Sequence, residues 1–232
     1  MNYEIKHGPS YAMLIVDLDV GERVTAESGA MTYMTPNIDV ETRWRERGIL
    51  ESVGLSIFGR QSLFVNDFIA KGGAGKVALA AAPVGDIKKL DVSHDSGYVI
   101  QKAAFLASTN DLDLDVKWEG FRKGIFGQGL FMIKVSGEGD LFINTFGAIE
   151  KHELGLGEEL VVDNFHLVAF TDSCDYEVRK IGSWRETILS GEGLVTYIRG
   201  PGEVYIQTKN LREFVNWLWV LLSPRMQRGR AR

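Results

Sequence analysis

Apolar and polar residues alternate along much of the chain. In the clearest run Leu112, Leu114 and Val116 alternate with Asp111, Asp113 and Asp115, and Val77, Leu79 and Ala81 share a parity opposite to Ala78 and Ala80. A period of two sends successive side chains to opposite faces of a sheet, so the pattern predicts strands throughout and an all-β fold. Two segments depart from it. Residues 48–59, GILESVGLSIFG, carry Ile49, Leu50, Val53 and Ile57 at helical spacing and predict a short amphipathic helix or a flap. Residues 210–224, NLREFVNWLWVLLSP, predict a helix apolar nearly all round, started by an Asn210 cap and ended by Pro224. It falls short of the roughly 20 residues a bilayer needs. Its expected use is docking on the sheets or a neighbouring subunit, or contact with a membrane surface, through Phe214, Trp217 and Trp219.

The alternation itself recurs. GGAGKVALAA from Gly72, SGEGDLFINT from Ser136 and RGPGEVYIQT from Arg199 each join a G-x-G turn to an alternating strand. The turns are Gly73 and Gly75, Gly137 and Gly139, and Gly200 and Gly202, and their second glycines lie 64 and 63 residues apart. The flanks recur too: FGRQSLFV, FGQGLFMI and SGEGLVTY stand upstream, and LDVGE and LGLGE correspond in the other half of the unit. Self-similarity at a fixed period predicts tandem structural units. Three are expected, over residues 1–86, 87–150 and 151–210, followed by a helix and basic tail over 211–232. Glycine is expected at these turns because tight hairpins use positive φ.

This arrangement disposes of the one nucleotide-like motif. KGGAGKV, Lys71 to Val77, resembles a phosphate-binding loop, but Ala70 and Val77 stand where the pattern needs glycine and a Ser or Thr that holds magnesium. Pro83 and Gly85 also break the helix that should follow. The same turn position holds SGEG and RGPG, so the segment reads as a turn.

Charge and cysteine content narrow the remaining classes. A net charge of −5 and a pI near 5.5 argue against a general nucleic-acid binder. The exception is RMQRGRAR at the C-terminus, expected to be a solvated, disordered tail. A single cysteine, Cys174, excludes an internal disulfide and fits a reducing compartment, and Asp172 and Asp175 beside it should raise its pKa and keep it inert. The first residues lack a signal-peptide pattern, so a cytoplasmic location is expected.

The motifs GIFGQGLFMIKVSGEGDLFINTFGAIEKHEL, GEELVVDNFHLVAF and SGEGLVTYIRGPGEVYIQTKN, preceded by PVGDIKKLDV, resemble the family of the mitochondrial protein called altered inheritance of mitochondria 24, from about Tyr3 to Asn210. The resemblance implies a triplicated, shortened double-stranded β-helix, similar in each unit to the tryptophan-sensing RNA-binding attenuator protein, and a homotrimer. It brings no catalytic residues and no cofactor. The eukaryotic member is implicated in organising the mitochondrial inner membrane, a role that does not carry over directly because the start of this chain lacks a transit-peptide pattern.

Three other classes are weighed against a scaffold. A cupin-like metal enzyme needs His and carboxylates converging on one barrel mouth, whereas His7, His94, His152 and His166 occupy non-equivalent positions in the units. A nucleophile elbow at Ser56 lacks the right glycine spacing and a His–Asp partner. The Asp111–Asp113–Asp115 ladder reads as a solvated strand face. Lys71, Lys134 and Arg199 precede the three G-x-G turns and form the candidate ligand or partner surface, weakened by Glu138, Asp140 and Glu203 nearby. The expectation is therefore a non-enzymatic, trimeric β scaffold or binding protein linked to a membrane or envelope. A metal-dependent enzyme and a peripheral membrane or RNA-binding module are the alternatives.

Overall fold

Alternation becomes pairing in the three-dimensional structure. A computed structural model of the chain describes residues 1–45, 63–109, 111–119, 130–180 and 194–229; the segment 48–59 and Ser56 lie outside them. The described residues form nineteen strands, a 3-10 turn at Lys102–Ala104 and one long helix. The protein is mostly β, in several antiparallel sheets, with a single C-terminal helix.

The first strands are β1 (Asn2–Lys6), β2 (Met13–Leu18), β3 (Arg23–Glu27), β4 (Met31–Met34), β5 (Ile38–Arg45), β6 (Leu63–Ala70) and β7 (Gly75–Leu79). A second group follows: β8 (Ile87–Val92), β9 (Tyr98–Gln101), β10 (Phe105–Thr109), β11 (Leu112–Glu119), β12 (Leu130–Gly137) and β13 (Gly139–Asn144). The third comprises β14 (Ile149–Leu154), β15 (Glu159–Asp163), β16 (Leu167–Thr171), β17 (Asp175–Lys180), β18 (Leu194–Arg199) and β19 (Gly202–Gln207), and the helix α1 (Leu211–Gly229) closes the chain.

Four sheets result, with strand orders β1-β2-β7-β4, β5-β6-β3-β10-β13-β8, β11-β12-β9-β16-β19-β14 and β15-β18-β17. Each inner sheet thus takes three strands from one group and three from the next. The seams are β3 against β10, with Ala26 opposite Ala107 and Thr25 opposite Ser108, and β9 against β16, with Ile100 opposite Ala169 and Val99 opposite Phe170. Successive sheets enclose three hydrophobic cores. Leu14, Val16 and Phe68 belong to the first, Val65, Phe105 and Ile133 to the second, and Met132, Phe170 and Ile198 to the third. At the seams the inner sheets are buried on both faces, which is why β10 and β16, FLAST and LVAFT, have lost the alternation. Burying each of Phe68, Phe105, Phe142 and Phe170 contributes about 2–3 kcal/mol.

The hairpins show what the glycines are for. Positive φ does not unite them: it occurs at Gly137, Gly139 and Gly202 but not at Gly73, Gly75 or Gly200. A threonine does. A Cβ on Gly75, Gly139 or Gly202 would lie 2.9, 2.0 or 2.1 Å from Oγ1 of Thr35, Thr109 or Thr171. In each case that hydroxyl accepts a 3.0 Å hydrogen bond from the amide after the glycine, at Lys76, Asp140 and Glu203. The missing side chain admits a cap on the incoming strand. The first glycines need correction. Ile38 pairs with Ala70 as Leu112 pairs with Gly137, so Ala70 holds the matching place and Gly73 sits in a longer loop, Lys71–Ala74.

One half-buried acid lies beside the first seam. Glu27, at the end of β3, has its carboxyl pushed up to about 7 by burial, opposed by the charge of Lys102. Because the folded pKa lies above the ordinary value of 4.5, the folded state holds the proton more tightly. The contribution of Glu27 to stability is therefore fullest below pH 4.5, falls between 4.5 and 7, and is level above. We expect Glu27→Gln to gain about 2 kcal/mol over wild type at pH 8 and little at pH 4.5, as read from urea unfolding at both pH values.

Candidate functional site

The start of each group passes close to the start of the next. The amide of Ala12 donates to the carbonyl of Gly85 at 3.0 Å, and that of Asp86 to Gly147 at 3.2 Å. The amide of Ala148 then donates to Thr208 Oγ1 at 3.0 Å. Gly85 and Gly147 form a parallel bridge. This column of chain crosses all three groups and ends where α1 begins.

Asn210 caps that helix as expected, its Oδ1 accepting from the amides of Arg212 at 2.9 Å and Glu213 at 3.2 Å. Only the first turns are anchored to the body. Phe214 stacks edge-on against Phe146 at 5.4 Å, and the Arg212 guanidinium lies 5.2 Å over the Phe165 ring. Between column and helix runs an open groove of about 570 Å³, lined by Val84, Phe146, His166, Lys209, Phe214 and Trp217 among others. His166 donates from Nδ1 to the Gln207 carbonyl at 2.7 Å.

Past that anchor, up to Leu222, the large apolar side chains stand open: Val215, Trp217, Trp219, Val220, Leu221 and Leu222 are 48–68% exposed. Docking on the chain's own sheets, one of the three uses expected of it, is thus limited to its first turns. A helix that is apolar all round is stable when something surrounds it. Pro224 does not end it; the helix runs to Gly229, well into the segment expected to be disordered. Proline removes one amide donor, and the Arg, Met and Gln that follow favour helix. No helix among the described residues is long and apolar enough to cross a membrane.

Lys71, Lys134 and Arg199 are not brought together as equivalents. Lys134 faces Asp115 within the β11–β12 pair, Arg199 faces Glu159 and Asp175, and Lys71 lies beyond β6. Each is engaged by acid: Lys71 with Glu41 at 2.9 Å and Asp39 at 3.4 Å, Lys134 with Asp172 at 3.4 Å, and Arg199 with Glu159 at 2.8 Å. Bonds to Glu41 and Asp39 raise the pKa of Lys71. Lys134 and Asp172 border a second pocket of about 170 Å³ with Val99, Met132, Cys174 and Tyr176. The Cys174 thiol is buried, and burial first, then Asp175, raises its pKa; the neighbouring charge expected to do this is the lesser cause.

The histidines lie apart. His94 approaches Glu138 at 3.4 Å and His152 approaches Glu150 at 3.2 Å, both on strand or turn surfaces. Among the described residues, no three His, Cys, Asp or Glu side chains are placed to hold a metal ion.

Comparison with known proteins completes this picture. The model of the family described as Mitochondrial biogenesis AIM24 matches residues 3–209. The chain belongs to the AIM24 family. An uncharacterized protein of Streptococcus pyogenes serotype M6 is 31% identical over 225 residues, covering 94% of this chain and 90% of the relative. A crystal structure of a Streptococcus pyogenes protein, a structural genomics target, superposes with a TM-score of 0.80 at 30% identity, covering 95% of this chain and 99% of that one. AIM24 membership names no specific activity. The family match ends at 209, one residue before the Asn210 cap, so the exposed helix lies beyond it.

Proposed function

We propose that this AIM24 family member is a non-enzymatic β scaffold that works as a homotrimer, with α1 as the clasp between copies. The observation that carries the reading is the helix, whose large apolar side chains stand exposed on every side beyond its first turns. A run of exposed apolar side chains of this kind marks an interaction site. The recurring strand order supports a triplicated, shortened double-stranded β-helix as the body: β2, β7 and β4 lie in one sheet and β3, β6 and β5 in the next, and the later groups pair likewise. A body of this kind presents rigid sheets and joins copies; Lys71, Lys134 and Arg199 are each matched by an acid.

Light scattering at micromolar concentration should give three times 25.8 kDa for the full chain. Removal of residues 211–232 should lower that mass while leaving the β circular-dichroism spectrum unchanged. A full chain that scatters as a monomer and sediments with anionic vesicles would replace the scaffold by a peripheral membrane module, and stoichiometric zinc or iron in the purified protein would replace it by a metal enzyme.

A further inference from the structure

The groove between column and helix holds two charges that the chain leaves unmatched. Lys209, the last residue before the Asn210 cap, lays its stem across Gly147, where a Cβ would lie 2.8 Å from the Lys209 Cγ. Unlike Lys71, Lys134 and Arg199, it forms no ion pair among the described residues. Glu213, on the first turn of α1, lines the same groove. A carboxylate in a first turn often serves the open amides there, but Asn210 Oδ1 already takes those of Arg212 and Glu213. Among the described residues the Glu213 carboxylate accepts no hydrogen bond and pairs with no cation, Lys209 included.

Aromatic and apolar groups make up much of the remaining lining. Phe146 and Phe214 meet edge-on at 5.4 Å, and Phe214 and Trp217 lie 5.9 Å apart with a 32° tilt, so three rings run on from the column to the helix. Val84, on the column side, is exposed as well. Residues four apart are neighbours on a helix surface, so Glu213 stands beside Trp217. A carboxylate next to an indole is a setting that attracts an ammonium group. The groove's volume of about 570 Å³ falls within the range of small-molecule sites.

This use does not compete with the clasp. Phe214 and Trp217, three residues apart, line the groove on one face of α1. Val215, Trp219 and Leu222, spaced by four and three, share another face and are all exposed. A helix apolar on both faces is thus suited to two contacts.

We propose that the groove binds a single-chain zwitterionic phospholipid, its phosphate on the Lys209 ammonium, its own ammonium between Glu213 and Trp217, and its chain along Val84, Phe146 and Phe214. Charge decides the head. A purely anionic head would be repelled by Glu213, a purely cationic one by Lys209, and an uncharged one would leave both unmatched. Apolar surface decides the tail, because the rings and Val84 gain by leaving water. The site belongs to each chain, so it goes beyond the scaffold reading and does not rest on it.

Titration calorimetry of the full chain with dodecylphosphocholine, held below the concentration at which it forms micelles, tests this. One molecule should bind per chain, and Lys209→Ala, Glu213→Ala and Trp217→Ala should each weaken binding by about 10-fold, while Lys71→Ala binds as wild type. Dodecanoate and dodecyl maltoside, with anionic and uncharged heads on tails of matching length, should bind by about 10-fold less. Absence of dodecylphosphocholine binding, equal binding of either comparison amphiphile, or Lys209→Ala and Glu213→Ala proteins that bind as wild type would each overturn the proposal. Sedimentation with phosphatidylcholine vesicles separates the sources. Vesicle binding that the same variants lose supports capture from a bilayer, and no vesicle binding beside tight dodecylphosphocholine binding supports capture of a free amphiphile. Vesicle binding without dodecylphosphocholine binding overturns the groove. Light scattering of the same samples keeps the readings apart: a 25.8 kDa monomer that binds as expected overturns only the scaffold, and a trimer that does not bind overturns only the groove.

Discussion

Replacing Gly85 by alanine is expected to cost at least ~3 kcal/mol and to remove most folded protein at 37 °C. A Cβ at this position would lie 1.8 Å from the carbonyl oxygen of Thr145 and 2.7 Å from its carbon, with the amide of Gly147 at 2.9 Å. All three are backbone atoms, so no side chain can swing aside. The backbone here is also committed, since the Gly85 carbonyl accepts from Ala12, Gly147 donates to Val84 and Asp86 donates to Gly147. Relief of the clash would open the column that ties the three groups together. Gly157→Ala is the control. Gly157 has φ of +80° but nothing within 4 Å of its would-be Cβ, so only the left-handed backbone is penalised, at about 1 kcal/mol. Thermal and urea unfolding of the two variants should separate them clearly; equal losses would show that the column yields.

How much of this was legible in the sequence differs by kind of interaction. The edge strands were, because one wet face keeps the period of two; LDLDV became β11. The Asn210 cap was legible because a cap is local. The threonines that use the missing Cβ of Gly75, Gly139 and Gly202 were not recognised, although a signal existed. Each begins a four-residue stretch, TPNI, TNDL and TDSC, that ends on a buried apolar residue. They were missed because they lie 30 to 40 residues from the glycines they serve. The ion pairs that engage Lys71 and Arg199 escaped for the same reason: each is made across a sheet to a strand far away in sequence. The exposure of α1 beyond its second turn was open in advance, since an apolar helix sequence reads alike whether its cover is the same chain or another one.

Asp67→Ala is the second substitution with a large expected effect, a loss of about 3 kcal/mol. Asp67 lies in β6 with no exposed surface, and its Oδ1 accepts a 2.8 Å hydrogen bond from Thr25, also fully buried, in β3. Its other oxygen pairs closely with the Arg43 guanidinium, and Arg23 stands 4.0 Å away. These groups form a row across the first seam, since Glu41 faces Asp67, Asp67 faces Thr25 and Thr25 faces Ser108. Removing the carboxylate leaves a buried hydroxyl and two guanidinium groups without their acceptor. Both arginines are about 40% exposed, so water recovers part of their solvation and the lower end of the range for broken buried pairs applies. Asp67→Asn keeps an acceptor for Thr25 and removes only the charge, and it should lose about half as much. The matching place in the second group holds Lys134, which is paired instead to Asp172, just beyond β16. Lys134→Ala is expected to cost less than Asp67→Ala, about 1 kcal/mol, because its ammonium is already partly in water. Urea unfolding of the three variants should rank them Asp67→Ala, Asp67→Asn, Lys134→Ala in falling order of loss; a Lys134→Ala loss as large as that of Asp67→Ala would mean that burial of the charge does not set the difference.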